Sequence, residues 1–276
     1  MEFYQEIEKA LTGSKYRKSI WRPFMSAVKE YQLISDGDRI AVCISGGKDS
    51  MLLAKCMQEL KRHSPLDISL AFICMDPGYT AENRRRIEEN CALLGIPVEF
   101  FETDIFAAID AMDCNPCYMC ARMRRGYLYR RAQALGCNKI ALGHHYDDAV
   151  ETILMSLIYG GQIQGMLPRL RSDNVPGMEL IRPLYKVREG SIIAWRDENA
   201  LSFLTCACSA SSRAQIREDG SSESKRAEMK NLVKQLNRLN PDADRNIFRS
   251  VHNVTLDSMI RWKYQDREHS FLDDFQ

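Results

Sequence analysis

A chain of 276 residues, 45% hydrophobic and with a formal net charge of +1, can bury one large core, or one core with an appended helical region. The near-neutral balance excludes a global basic field, so any nucleic-acid binding must rest on local patches. No apolar stretch approaches the roughly 20 residues of a bilayer span, and Met1 to Lys18 is too charged for a secretory signal; no membrane partner and a cytoplasmic location are therefore expected, with the ten cysteines read as buried thiols, metal ligands or sulfur-handling groups.

In chain order, the first 36 residues read as a helical preamble. The apolar run Ile40-Ala41-Val42-Cys43-Ile44, followed by glycines, suits a buried parallel strand, and Met51 to Leu60 has helix-forming composition. Further apolar segments at Ile68–Met75, Val98–Phe101 and Lys139–Leu142 alternate with longer helix-like stretches. That alternation predicts βαβ units and an α/β fold, a parallel sheet with helices on both faces. Asp148 to Tyr159 is the clearest helix, because Val150, Ile153, Leu154, Leu157 and Ile158 share one face. Residues 160–180, with four glycines and two prolines, read as a loop, and Lys225 to Leu239 before Pro241 reads as a surface helix.

In such a sheet ligands sit beyond the carboxyl ends of the strands, which singles out three loops. In Ser45-Gly46-Gly47-Lys48-Asp49-Ser50 two glycines let the backbone approach an anion, while helix N-terminal amides point at it. The spacing matches neither GxxxxGK(S/T) nor GxGxxG, so neither a Walker-type kinase nor a dehydrogenase is the first choice. Asp76, in Met75-Asp-Pro-Gly-Tyr79, is positioned to meet a nucleoside, although a plain Pro-Gly turn is the competing reading. In Gly143-His144-His145-Tyr146-Asp147-Asp148 the carboxylates can cap a helix or hold Mg²⁺ on phosphate oxygens, and His144 can contact an α-phosphate. One of the two histidines is structural.

Cys114-x2-Cys117-x2-Cys120 resembles the start of a ferredoxin-type run, with a zinc half-site or redox pair as alternatives. Cys206-Ala-Cys208 supplies a distant partner, and soft thiolates favour iron–sulfur. Cys43, Cys56, Cys74, Cys91 and Cys137 lie in apolar stretches and read as core. Arg122, Arg124, Arg125, Arg130 and Arg131 cluster after the cysteines, where a phosphate backbone would have to pass, whereas the basic residues near the N-terminus read as a solvated helix face.

These motifs together resemble the tRNA 2-thiocytidine biosynthesis (TtcA) family, within the PP-loop ATP pyrophosphatases. The agreement runs from about Asp36 to Ile193, through Ser45–Ser50, Cys117-x2-Cys120-Ala-Arg-Met-Arg-Arg-Gly, Lys139-Ile-Ala-Leu-Gly-His-His-Tyr-Asp-Asp, Tyr159-Gly-Gly-Gln-Ile-Gln-Gly-Met and Ile181-Arg-Pro-Leu. The resemblance implies an N-terminal helical extension over 1–36, a PP-loop domain over 37–205, and a cluster-closing loop with a helical region over 206–276. It implies ATP as co-substrate, with Ser45, Gly46, Gly47, Lys48, Asp49, Ser50, Asp76, Gly143, His144 and Asp148 around it. A [4Fe-4S] cluster is implied on Cys117, Cys120 and a later cysteine. The family shows CxxC in the later loop where this chain has CxC, so Cys208 fits best, Cys206 is the alternative, and Cys114 is an extra thiol.

The activity implied is adenylation of the C2 oxygen of cytidine 32 in a tRNA anticodon loop, followed by displacement of AMP by sulfur. Asp49, Asp147, Lys48 and Arg124 are the catalytic candidates, and Arg122, Arg125, Arg130 and Arg131 the tRNA-binding ones. The target base must leave its stack to react. The sulfur donor implied is a cysteine desulfurase or sulfide, and a homodimer stays open. A 2-thiouridine synthetase, or an enzyme acting on a small molecule or carrier protein, is the alternative; a non-catalytic iron–sulfur or zinc redox sensor is opposed by the intact nucleotide loops.

Overall fold

Strand β1 (Arg39–Ile44) is buried at every position but its first, as a central strand must be when both sheet faces are covered. It lies parallel between β2 (Ser69–Asp76) and β4 (Lys139–Ala141). β3 (Val98–Glu102) extends the sheet parallel on one side, β6 (Glu179–Ile181) on the other, and β5 (Arg169–Arg171) closes that edge antiparallel. The order is β3-β2-β1-β4-β6-β5. The computed structural model describes residues 3–103, 105, 116–204 and 225–275.

Alternation along β1 divides the core between the two faces. Ile40, Val42 and Ile44 join a cluster with Phe24, Met51, Leu53, Trp195 and the helix Phe3–Thr12, whereas Ala41 and Cys43 join Ile73, Tyr129, Ala132, Ile140 and Leu180 on the other side. The N-terminal helices thus pack into the same core as the sheet. A buried ion pair fastens them: Lys55 Nζ, fully buried, donates to Glu8 Oε1 at 2.5 Å and to the Leu94 carbonyl at 2.7 Å. The isolated cysteines 43, 56, 74, 91 and 137 are all buried, and burial pushes each thiol up from its ordinary pKa.

All four strands expected from apolar runs are present. The expected loop over 160–180 holds a further strand pair, because β5 with β6 forms three rungs, Arg169↔Ile181, Leu170↔Leu180 and Arg171↔Glu179. Three-residue strands, Arg169-Leu-Arg171 and Glu179-Leu-Ile181, carry too little alternation to be read locally. The C-terminal region also adds a hairpin, β7 (Arg261–Tyr264) with β8 (Arg267–Ser270). Its turn sets Gln265 and Asp266 at φ of 49° and 61°, the double left-handed geometry of a type I′ turn without the usual glycine.

The chain divides into two compact units, Met1–Asp148 with Leu167–Ser222, and Ala149–Met166 with Glu223–Gln276. Within the second, Lys225 sits 4.6 Å over the Tyr159 ring and Arg226 pairs with Glu151 at 3.6 Å. No described helix is long and apolar enough to cross a membrane.

Candidate active site

Parallel pairing puts the loops after β1, β2, β4 and β6 on one edge of the sheet. The loop after β1 ends in the 16-residue helix Lys48–His63, whose N-cap is Gly47 in extended backbone with no side-chain cap. Its first amides therefore stand open to an anion, reinforced by the helix dipole. Gly46 has φ +83°, and a Cβ there would meet Ile87 Cγ1 at 2.7 Å and Leu204 Cδ1 at 3.2 Å; both backbone and packing require glycine. At Gly47 a Cβ would meet only ordinary contacts at 3.7 Å, so the room it leaves is not needed by the protein's own packing.

Ser50 closes this loop. Its Oγ accepts from Ser45 N at 3.1 Å, lies 3.2 Å from Ser45 Oγ and donates to the Gly47 carbonyl at 2.9 Å. Lys48 Nζ pairs with Asp49 at 3.1 Å and Glu189 at 3.2 Å. Burial alone would lower its pKa, but the two carboxylates outweigh it and hold Lys48 above the usual lysine value.

The loop after β4 packs on that helix start. A Cβ on Gly143 would lie 3.0 Å from Asp49 C and Ser50 N and 3.2 Å from Asp49 O, all backbone. The buried His145 is the structural histidine: its amide donates to Asp148 Oδ2 at 2.9 Å, and its Nε2 lies 3.5 Å from Asp148 Oδ2 and 3.8 Å from Asp49 Oδ1. Asp147 Oδ2 accepts from Glu189 N at 2.7 Å, at the start of helix Glu189–Glu198, whereas the capping weighed for the start of their own helix falls to Asp148, through the His145 amide. After β2, Asp76 Oδ1 accepts from Gly78 N at 2.9 Å and Tyr79 N at 2.7 Å, and Oδ2 takes Arg84 at 3.0 Å. Its carboxylate shapes the turn and delivers Tyr79.

These loops surround a cavity of about 480 Å³. Ser45, Asp49, Ser50, Gly143, His144, Asp148, Arg124 and Arg125 line it, together with Tyr79 and Arg182. Burial raises the Tyr79 hydroxyl to about 12, and Arg124 is its hydrogen-bond partner. Of the other residues singled out from the sequence, Gly46, Gly47, Lys48, Asp76 and Asp147 are not among those that line it. Arg130 packs over Tyr127, 4.7 Å from the ring centroid, and Arg131 pairs with Glu99 and lies 6.0 Å over Phe101. Arg131 is thereby committed to the sheet edge.

Arg182 escaped the sequence reading as a site residue. It is 8% exposed, at the end of β6, and its signal was its place in Ile181-Arg-Pro-Leu, a segment that carried the family resemblance without a role assigned to the arginine. Cys117 and Cys120 lie one turn apart at the start of helix Pro116–Ala134, with their side chains and that of Arg122 outside the described residues. Cys114, Cys206 and Cys208 lie outside them altogether. Among the described residues no group of three or more His, Cys, Asp or Glu is arranged to hold a metal ion.

A family model described as a PP-loop domain matches residues 18–219. The tRNA-cytidine(32) 2-sulfurtransferase of Geobacter metallireducens is 37% identical over 257 residues, covering 92% of this chain and 93% of that protein. The tRNA-cytidine(32) 2-sulfurtransferase of Burkholderia multivorans is 32% identical over 91% of this chain and 73% of its own. Among solved structures, the U34-tRNA thiolase NcsA from Methanococcus maripaludis with its [4Fe-4S] cluster shares the fold, with a TM-score of 0.65 at 21% identity over 84% of this chain and 76% of that one.

Proposed function

Because the chain belongs to the PP-loop family and, within it, to the tRNA-cytidine(32) 2-sulfurtransferases, we propose that it uses ATP to replace the C2 oxygen of cytidine 32 in tRNA with sulfur. The observation that carries this reading is the uncapped start of helix Lys48–His63, where Ser45, Asp49 and Ser50 line one cavity with Arg124, Arg125, His144 and Asp148. An amide-like oxygen leaves poorly and AMP leaves well, which is why ATP is consumed. The C2 oxygen attacks the α-phosphorus and pyrophosphate departs; sulfur then adds at C2, and AMP departs carrying the original oxygen.

The loop amides suit the departing pyrophosphate, and the guanidiniums of Arg124 and Arg125 offset charge that builds at the α-phosphorus. Asp49 and Asp148 are the carboxylates in the wall, a pair suited to Mg²⁺, which keeps several waters and takes its other oxygens from phosphates. Cys117 and Cys120, one turn apart, with Cys208 as third thiolate, would hold a [4Fe-4S] cluster, and such a group would supply an iron position free to bind sulfur.

The route for RNA is a second groove of about 840 Å³, walled by helix Pro116–Ala134 and the β5–β6 connection. Arg125, Arg130 and Arg171 line it, and Arg125 lines the cavity too. A phosphate backbone following these arginines would bring an extruded base to the cavity mouth. The test is pyrophosphate release with and without tRNA. It should rise with tRNA and vanish in Gly47→Val, whose side chain occupies the space left for phosphate; near-normal release by that variant, or none from the parent enzyme, contradicts the reading.

A further inference from the structure

The guanidinium of Arg182 carries a full charge into the cavity wall with little to balance it. Its Nη1 donates to the Leu167 carbonyl, and its buried Nε–H has no hydrogen-bond partner. Burial depresses its pKa to about 10; Tyr185 and Tyr129 oppose that shift, Arg125 adds to it, and Asp148 acts only through space. A buried charge left so is costly unless a ligand completes it. The backbone is meanwhile fixed, with Arg182 N donating to Pro168 O at 2.9 Å and Tyr185 N donating to Arg182 O at 3.1 Å.

Position narrows the ligand. β6 is parallel to β4, and β4 to β1, so Arg182 emerges on the same edge as the phosphate loop but two strands away, about 10 Å at ordinary strand spacing. That offset suits a phosphate next to the one at the Gly46-Gly47 amides. With Nη1 committed to Leu167, the remaining edge of the planar group is Nε–H beside Nη2, two parallel donors that match two oxygens of one phosphate.

We propose that Arg182 binds the α-phosphate, the group that stays on the nucleotide after pyrophosphate has gone and that leaves as AMP. This rests on the adenylation reading above and names the residue that steadies its leaving group. The parent enzyme's affinity for AMP and for adenosine, measured by calorimetry, separates the two claims. In Arg182→Gln, AMP affinity should fall ~10- to 100-fold, as expected for loss of a charge-assisted pair, while adenosine affinity holds; Arg182→Lys, which keeps the charge but not the paired donors, should fall between.

Equal losses for AMP and adenosine would make Arg182 merely structural and overturn the proposal. So would unchanged AMP affinity with weakened tRNA affinity, which would reassign the residue to the RNA. If Arg182→Gln does not fold, Arg182→Lys decides, and AMP affinity equal to the parent's contradicts the assignment. Failure of the parent enzyme itself to bind AMP or ATP would instead contradict the adenylation reading.

Discussion

Gly143→Ala tests whether the nucleotide loop is held in place by backbone-to-backbone packing. The added methyl would sit 3.0 Å from Asp49 C and Ser50 N, several tenths of an ångström inside ordinary contact, and neither neighbour is the movable end of a side chain. Either the β4 loop or the first helical turn must shift, an overpacking cost of about 1–3 kcal/mol. At roughly 2–4 °C per kcal/mol for a domain of this order of size, the melting midpoint should drop measurably. The same shift displaces the amides that meet phosphate, and small misplacements at a reacting site cost rate out of proportion to their size. Gly47→Ala is the control for stability alone, since its methyl meets no protein atom closer than 3.7 Å. Thermal melts of both variants and ATP titration of Gly143→Ala give the answer. A Gly143→Ala protein with parent-like midpoint and parent-like ATP affinity would refute the packing argument.

Asp38 governs an acid-sensitive junction: burial pushes its carboxyl up, but Lys139 at 2.6 Å, the Ser35 amide at 2.7 Å and Asn138 at 2.8 Å outweigh it and hold the pKa below the usual aspartate value. A depressed folded-state pKa contributes stability that is present above the unfolded value of about 3.9 and lost as pH falls through the folded one. Denaturant midpoints of the parent should therefore decline in that acid window, and Asp38→Asn should flatten the decline; parallel pH profiles contradict it. For the cluster, Cys117→Ala, Cys120→Ala and Cys208→Ala should each lose the broad brown absorbance and all thiolation yet still bind ATP, whereas Cys114→Ala keeps the colour. Bleaching by Cys114→Ala with Cys208→Ala unaffected would move the ligand set to the local three-cysteine run.

The sheet was legible because its four principal strands are short, mostly apolar segments, continuous and buried in β1 and through the second half of β2, and interrupted by Glu99 in the edge strand β3. β5 and β6 were not, since Arg169 to Arg171 becomes a strand only by pairing with a segment some ten residues on. At the site, the glycine loop and the Gly143–Asp148 loop announced themselves by composition, yet residue type could not divide the labour within them. His144 and His145 are equivalent in sequence, and only packing sends one to the cavity and the other to Asp148. Asp147 and Asp148 part in the same way, through the distant amide of Glu189. Lys48 was picked out by its place in the loop, but its ion pair with Glu189, far along the chain, had no local signal. Arg182 stayed hidden because a lone arginine beside a proline carries no periodic signal until the fold buries it.

The most direct measurement is nucleoside mass spectrometry of tRNA incubated with the anaerobically reconstituted enzyme, ATP, Mg²⁺ and sulfide. A pocket built for cytidine faces an exocyclic amine where uridine presents an oxygen, so the wrong base leaves a buried polar group unpaired. A tRNA with cytidine at position 32 should gain 2-thiocytidine and the uridine-32 variant should remain unmodified. Thiolation of the uridine variant instead, or of neither, would contradict the assignment.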